Sequence, residues 1–180
     1  MIMQSAPELQ TSHWFNTDVP VTLASLRGRV VVIEAFQMLC PGCVSHGLPQ
    51  AQRVANIFER KDVAVLGLHT VFEHHAAQGT VEALAAFLHE YRISFPVALD
   101  APSEDHALPR TMSAYRMQGT PSLLLIDRQG RLRKQAFGAE QDMQIGADIM
   151  SLVCETDKAL SDSPESTPSA GSCDEKGCAI

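Results

Sequence analysis

Cys40-Pro41-Gly42-Cys43 stands where a strand pattern gives way to a helix pattern, and that placement restricts the fold more than any other feature of the chain. Upstream, Val30-Val31-Val32-Ile33 is an unbroken β-branched run. Such a run reads as a strand buried on both faces, central in its sheet. Downstream, Val44, Leu48, Ala51 and Phe58 recur at helical spacing and predict a helix over roughly 43–60. Pro49 falls inside it. Its ring removes a backbone donor and presses on the preceding turn, so a kink is expected there.

A dithiol at a strand-to-helix junction has a definite chemistry. The first N–H groups of a helix are unpaired, and with the helix dipole they favour negative charge. A thiol at that point loses its proton readily, and the thiolate is the nucleophile. Cys40 takes this place, Pro41 falls where a missing N–H costs little, and Gly42 turns the chain without side-chain bulk. Cys40 would attack a partner's disulfide, and Cys43, one turn on, would resolve the mixed disulfide. Two buried cysteines or half of a zinc site are the plainer readings. A zinc site needs a second close ligand pair, for which loop histidines or tail cysteines are the nearest candidates. The strand–C-x-x-C–helix context favours redox use.

Strand and helix patterns alternate through the rest of the chain. Val63 to Leu68 reads as a second buried strand, followed by a loop holding His69, His74 and His75. Thr80 is placed to cap a helix whose apolar face is Val81, Leu84, Ala85 and Leu88. Phe95 to Leu99 is a short strand, and a loose helical stretch runs to about Met117. Ser122 to Asp127 and Arg131 to Phe137 form a hairpin about Arg128-Gln129-Gly130. Ile145, Ile149, Leu152 and Val153 mark a last helix. Around Trp14, Val21-Thr22-Leu23 adds a small hairpin. This order gives an α/β three-layer sandwich.

The 180 residues suit one domain, and at 45% hydrophobic they can fill one sizeable core. A net charge of −7, with no basic run, excludes proteins that hold nucleic acid or anionic membranes by bulk charge. The N-terminus has no basic segment followed by an apolar one, and no apolar stretch is long enough to span a bilayer. The expected compartment is the cytosol, where thiols stay reduced and a close pair is catalytic or metal-binding rather than structural. Residues 1–13 are an N-terminal extension and 14–158 the folded domain. Residues 159–180 are a Ser/Pro-rich tail with little to bury, expected to be disordered. The tail carries Cys173 and Cys178. They read as two exposed thiols, as a second dithiol exchanging electrons with Cys40, or as a soft-metal loop.

Taken together, Leu26-Arg27-Gly28-Arg29 before the first long strand, Cys40-Pro41-Gly42-Cys43 after it, and Gly119-Thr120-Pro121 before Leu123-Leu124-Leu125-Ile126-Asp127 resemble the thioredoxin superfamily, and most closely its TlpA-type redoxins. The resemblance implies the thioredoxin fold, a central mixed sheet flanked by helices. It implies a thiol–disulfide oxidoreductase exchanging its dithiol with protein or small-molecule disulfides, with a disulfide-bearing protein and an external thiol reductant as partners and no cofactor or metal. It implies that Pro121 is cis beside the dithiol, and that Thr120, with Pro41 and Gly42, presents backbone to the bound peptide. Glu34, six residues before Cys40, matches the buried acid of thioredoxins. Among Val31, Val32, Ile33, Ala35 and Phe36 its pKa should rise, and it would exchange a proton with Cys43.

Three departures modify the picture. Leu39 stands where these families usually carry Trp, so the docking surface is altered. His46 stands where TlpA-type proteins often have Glu, and a histidine there serves as proton shuttle or stabilising cation. TlpA-type proteins are usually exported or membrane-anchored, and no such segment is seen. Two rival readings stand beside the main one. A peroxiredoxin-like peroxidase would need Thr or Ser where Gln37 lies. A copper carrier like the Sco proteins would draw on His69, His74 and His75, although those proteins space their cysteines by three residues.

Overall fold

β2 (Val30–Phe36) is buried at all seven positions, and the rest of the fold is arranged to cover it. The computed structural model describes residues 5–104 and 107–155. Its other strands are β1 (Thr11–Phe15), β3 (Val63–His69), β4 (Val97–Asp100), β5 (Ser122–Ile126) and β6 (Leu132–Phe137). They form one mixed sheet in the order β1-β4-β3-β2-β5-β6. β2 pairs parallel with β3 from Val30 opposite Val63 to Phe36 opposite His69. On its other side it pairs antiparallel with β5, Val31 opposite Ile126 and Ala35 opposite Ser122. The expected alternation and central strand are therefore as read.

The helices are α1 (Leu48–Ile57), α2 (His75–Gln78), α3 (Val81–Glu90), α4 (Arg110–Ala114) and α5 (Asp142–Cys154). Alternation along the strands splits the core into two layers. On one face Val30, Val32 and Phe36 meet Leu48, Ala51 and Val54 of α1, Leu84 and Leu88 of α3, and Ile145, Ile149 and Leu152 of α5. On the other, Val31, Ile33 and Ala35 meet Leu23, Leu26, Met112, Tyr115 and Met117. Thr80 caps α3 as expected, accepting from the Ala83 N–H at 3.1 Å. Ala85 is exposed rather than part of the buried face. Among the described residues no helix is long and apolar enough to cross a membrane.

The N-terminal region differs from the expected hairpin. β1 holds Trp14, but it pairs antiparallel with β4, Trp14 opposite Ala98, and begins at Thr11. Val21-Thr22-Leu23 forms no strand. A 3₁₀ turn at Ala24–Leu26 follows it and buries Leu23 and Leu26. The edge of β4 offered β1 a ladder partner, and Glu8 accepts from the Leu23 N–H at 2.6 Å, holding the segment in its turn. The tail, with Cys173 and Cys178, lies outside the described residues.

α4 leads into the Gly119-Thr120-Pro121 loop, and a buried carboxylate fixes its start. Asp100 accepts from the Thr111 N–H at 2.8 Å and the Met112 N–H at 2.9 Å. Both donors would otherwise be unpaired at a helix N-terminus. Asp100→Ala should lower the free energy of unfolding by about 2 kcal/mol, measured by urea denaturation.

Candidate active site

The residue order at the end of β2 builds the start of the next helix around sulfur. Helical geometry begins at residue 41, so Cys40 is the capping residue and Pro41 the first helical position. The Cys43 N–H donates to the Cys40 Sγ at 3.2 Å, as a capping side chain would accept it, and the Val44 N–H closes on the Cys40 carbonyl at 3.2 Å. The two cysteines are joined as a disulfide, with their Cα atoms 5.3 Å apart. Cys43 is fully buried, whereas Cys40 is half-buried and is the sulfur open to attack.

Pro49 acts differently from the kink expected. Cys43–Gly47 is a π-helical turn, closed by the Leu48 N–H on the Cys43 carbonyl, and α1 continues from it. Proline has no N–H for the Ser45 carbonyl and its ring would press on it. A wider turn placed just before absorbs both demands.

The Thr120–Pro121 bond is cis. The Thr120 carbonyl oxygen lies 3.5 Å from the Cys40 Sγ, and a Cβ on Gly42 would stand 3.3 Å from Pro121 Cδ. Thus Thr120, Gly42 and Cys40, each partly exposed, come together at the surface over the buried Pro121 and Cys43. Pro41 is exposed, as is Leu39 at 56%. Phe137, also exposed, lies over Gly119, where an added Cβ would come within 2.9 Å of its ring.

Glu34 sits beneath the helix start with 1% of its surface exposed. Its Oε1 has no hydrogen-bond partner, and burial pushes its pKa up to about 8. The carboxyl occupies the space above Gly47, where a Cβ would collide with Oε1 and lie 3.1 Å from the Pro121 Cβ. Gly47 is thus a site residue that sequence reading missed. A glycine one turn past the second cysteine was the available signal. His46 is exposed, with its Nδ1 2.7 Å from the Ser45 Oγ. It lines, with Glu34, Gly47, Gln50 and Arg53, a cleft of about 390 Å³ between α1 and the loop after β6.

A second group was also missed. Gln37 and Gln78 are both buried, and the Gln78 Nε2 donates to the Gln37 Oε1 at 3.0 Å. The Gln78 Oε1 accepts from the Leu39 N–H at 3.1 Å, and the Gln37 Oε1 from the Phe72 N–H at 3.3 Å. This network ties the approach to Cys40 to the segment around α2. Nothing in the local pattern marks two glutamines 41 residues apart as partners.

The three histidines of the metal reading do not converge. His69 belongs to β3 rather than to the following loop. It is fully buried against Phe36, with ring centroids 5.2 Å apart, and burial pulls its pKa down to about 4. His74 and His75 are exposed. Among the described residues no three His, Cys, Asp or Glu side chains gather as a metal site would require.

Known proteins resemble the chain in sequence and in fold. A model of the AhpC/TSA family matches residues 2–135. Protein DipZ from Mycobacterium bovis and from Mycobacterium tuberculosis is 33% identical over 138 residues, which are 74% of this chain and 18% of DipZ. The chain therefore spans under a fifth of those relatives. A crystal structure of a thioredoxin-like superfamily protein is 60% identical, with a TM-score of 0.82, covering 84% of this chain and 97% of the other. A thiol-disulfide isomerase from Corynebacterium glutamicum is 48% identical, with a TM-score of 0.80, covering 84% and 98%.

The buried acid predicts a pH dependence. The folded pKa of Glu34 lies above the ordinary carboxyl value, so the folded state holds the proton more tightly than the unfolded chain does. The stability this confers is complete below the unfolded pKa and is lost as pH rises through about 8. Urea unfolding of the wild type should weaken across that window relative to Glu34→Gln, which has no proton to lose.

Proposed function

The chain belongs to the AhpC/TSA family, and from that premise we propose that it is a thiol–disulfide oxidoreductase that reduces disulfide-bearing proteins with Cys40 as nucleophile. The observation that carries the reading is the Cys40 sulfur at the helix start, half-exposed and 3.5 Å from the Thr120 carbonyl beside Pro121, with Cys43 buried behind it.

The steps follow from that asymmetry. In the reduced protein the Cys40 thiolate, favoured by the Cys43 N–H and the helix dipole, attacks one sulfur of the partner's disulfide. The partner's S–S bond breaks, a Cys40–partner bond forms, and the leaving thiolate takes a proton from water. Thr120 and Gly42 offer backbone to the partner chain alongside. Cys43 then gives its proton to the Glu34 carboxylate, directly or through one water, and attacks Cys40. The second partner thiolate leaves, and Cys40–Cys43 remains as the disulfide seen here. Burial lifts the Glu34 carboxyl to about 8, out of the ordinary carboxylate range and toward that of a thiol, which suits it to take a thiol proton. An external thiol reductant completes the cycle by attacking Cys40.

We take reduction to be the direction, with the Cys40 thiolate as the attacking group. Peroxide reduction has less support. At the position three before the nucleophile, Gln37 offers no hydroxyl and is engaged with Gln78 and Phe72.

Insulin reduction with dithiothreitol tests the assignment. Cys40→Ser should abolish turnover, and Cys43→Ser should accumulate a Cys40 mixed disulfide visible by mass spectrometry. The alkylation rate of Cys40 against pH should have its midpoint below the ~8.5 of an ordinary thiol. Equal insulin rates for wild type and Cys40→Ser would refute Cys40 as nucleophile.

A further inference from the structure

The cleft beside α1 reaches Glu34 from a side that the dithiol does not occupy. Its floor is Glu34 with Leu123, one wall is His46, Gln50 and Arg53, and the other is the loop after β6. Neither Cys40 nor the Thr120–Pro121 bond lines it. A partner seated across Cys40 and Thr120 would therefore close the disulfide face and leave this cleft open. Resolution happens while the partner is still attached, so a proton that Cys43 passes to Glu34 needs a way out on another side if Glu34 is to return to carboxylate before the partner leaves.

The groups facing Glu34 across the cleft come from three elements. Arg53 of α1 pairs with Asp142 of α5 at 2.8 Å. Glu140 of the loop pairs with Lys134 at 2.7 Å. Gln50 donates to the Glu140 carbonyl at 2.9 Å and to Asp142 at 2.8 Å. Each charged wall group is thus committed to an opposite charge. His46 is not: among the described residues its ring hydrogen-bonds only with the Ser45 hydroxyl, and it stands exposed beside Gly47, where the Glu34 carboxyl closes on the backbone. An imidazole has two ring nitrogens and can accept on one while donating from the other. The Glu34 Oε1 is sealed from solvent and has no partner inside the protein, so the carboxyl's way to water is through the cleft that the residue lines.

We propose that Glu34 exchanges its proton with solvent through this cleft, with His46 handing the proton across its mouth, so that resolution proceeds while a partner covers Cys40. The proposal rests on the dithiol reading above and deepens it. In the step, Cys43–SH and Glu34 carboxylate become Cys43 thiolate and Glu34–COOH. The thiolate displaces the partner sulfur from Cys40, and Glu34–COOH returns to carboxylate as the proton passes through the cleft to buffer.

Formation and decay of the Cys40 mixed disulfide with insulin, followed by acid quench and mass mapping in the full chain, separate attack from resolution. At low buffer concentration His46→Ala should slow decay by roughly ten-fold, with little change in formation, and added imidazole should restore it. Ala139→Trp, which fills the cleft from its exposed wall, should slow decay without imidazole rescue. Decay at the wild-type rate in His46→Ala, or slow decay that imidazole leaves unchanged, would overturn the route. Glu34→Gln tells the two levels apart. If it slows decay and His46→Ala does not, only the route fails. If Glu34→Gln decays normally, the acid's part in resolution fails with it.

Discussion

A strand that buries every residue must lie between two others and beneath two layers of helix, and β2 imposes this on the whole chain. Its flanking ladders to β3 and β5 fix where its end emerges. The chain leaves that end through Gln37 to Leu39 and meets the helix start at Cys40 with little freedom left. The same strand carries Glu34 into an apolar place nearly closed to solvent, since its neighbours on both sides are apolar and buried. Nucleophile and acid are thus set by one element: Cys40 lies just past the end of β2 and Glu34 two residues inside it.

The electrostatic consequences run in opposite directions. At Cys40 the helix start supplies an N–H and a dipole end, which favour charge. At Glu34 the absence of any donor to Oε1 disfavours it. A few residues of chain therefore hold a sulfur inclined to ionise and a carboxyl inclined to stay protonated. Gly47 is what permits the second, because any side chain there would meet the carboxyl.

What could be read from the sequence was local in pattern or carried by a motif. The β-branched run, the C-x-x-C junction, the Thr80 cap and the hairpin at Gly130 are short-range signals, and the structure keeps them. The burial of Glu34 followed from the five apolar residues around it, and the cis bond at Pro121 from the family likeness. What escaped depends on distant partners. β1 found the edge of β4 more than eighty residues away. Gln37 met Gln78 through the packing of α2 against the site. His69 looked like a loop residue because its β-strand continues one step beyond the apolar run. The π turn arises from Pro49 acting on a helix already committed by its buried face.

The single tryptophan of the chain, Trp14, lies on β1 at the outer edge of the sheet, with two strands between it and the one that delivers Cys40. The position beside the sulfur, where an indole would feel the bond open and close, holds Leu39 instead. The indole lies opposite Ala98 in the β1–β4 ladder, which makes the outer edge of the sheet, rather than the dithiol, the part of the fold that tryptophan emission samples first.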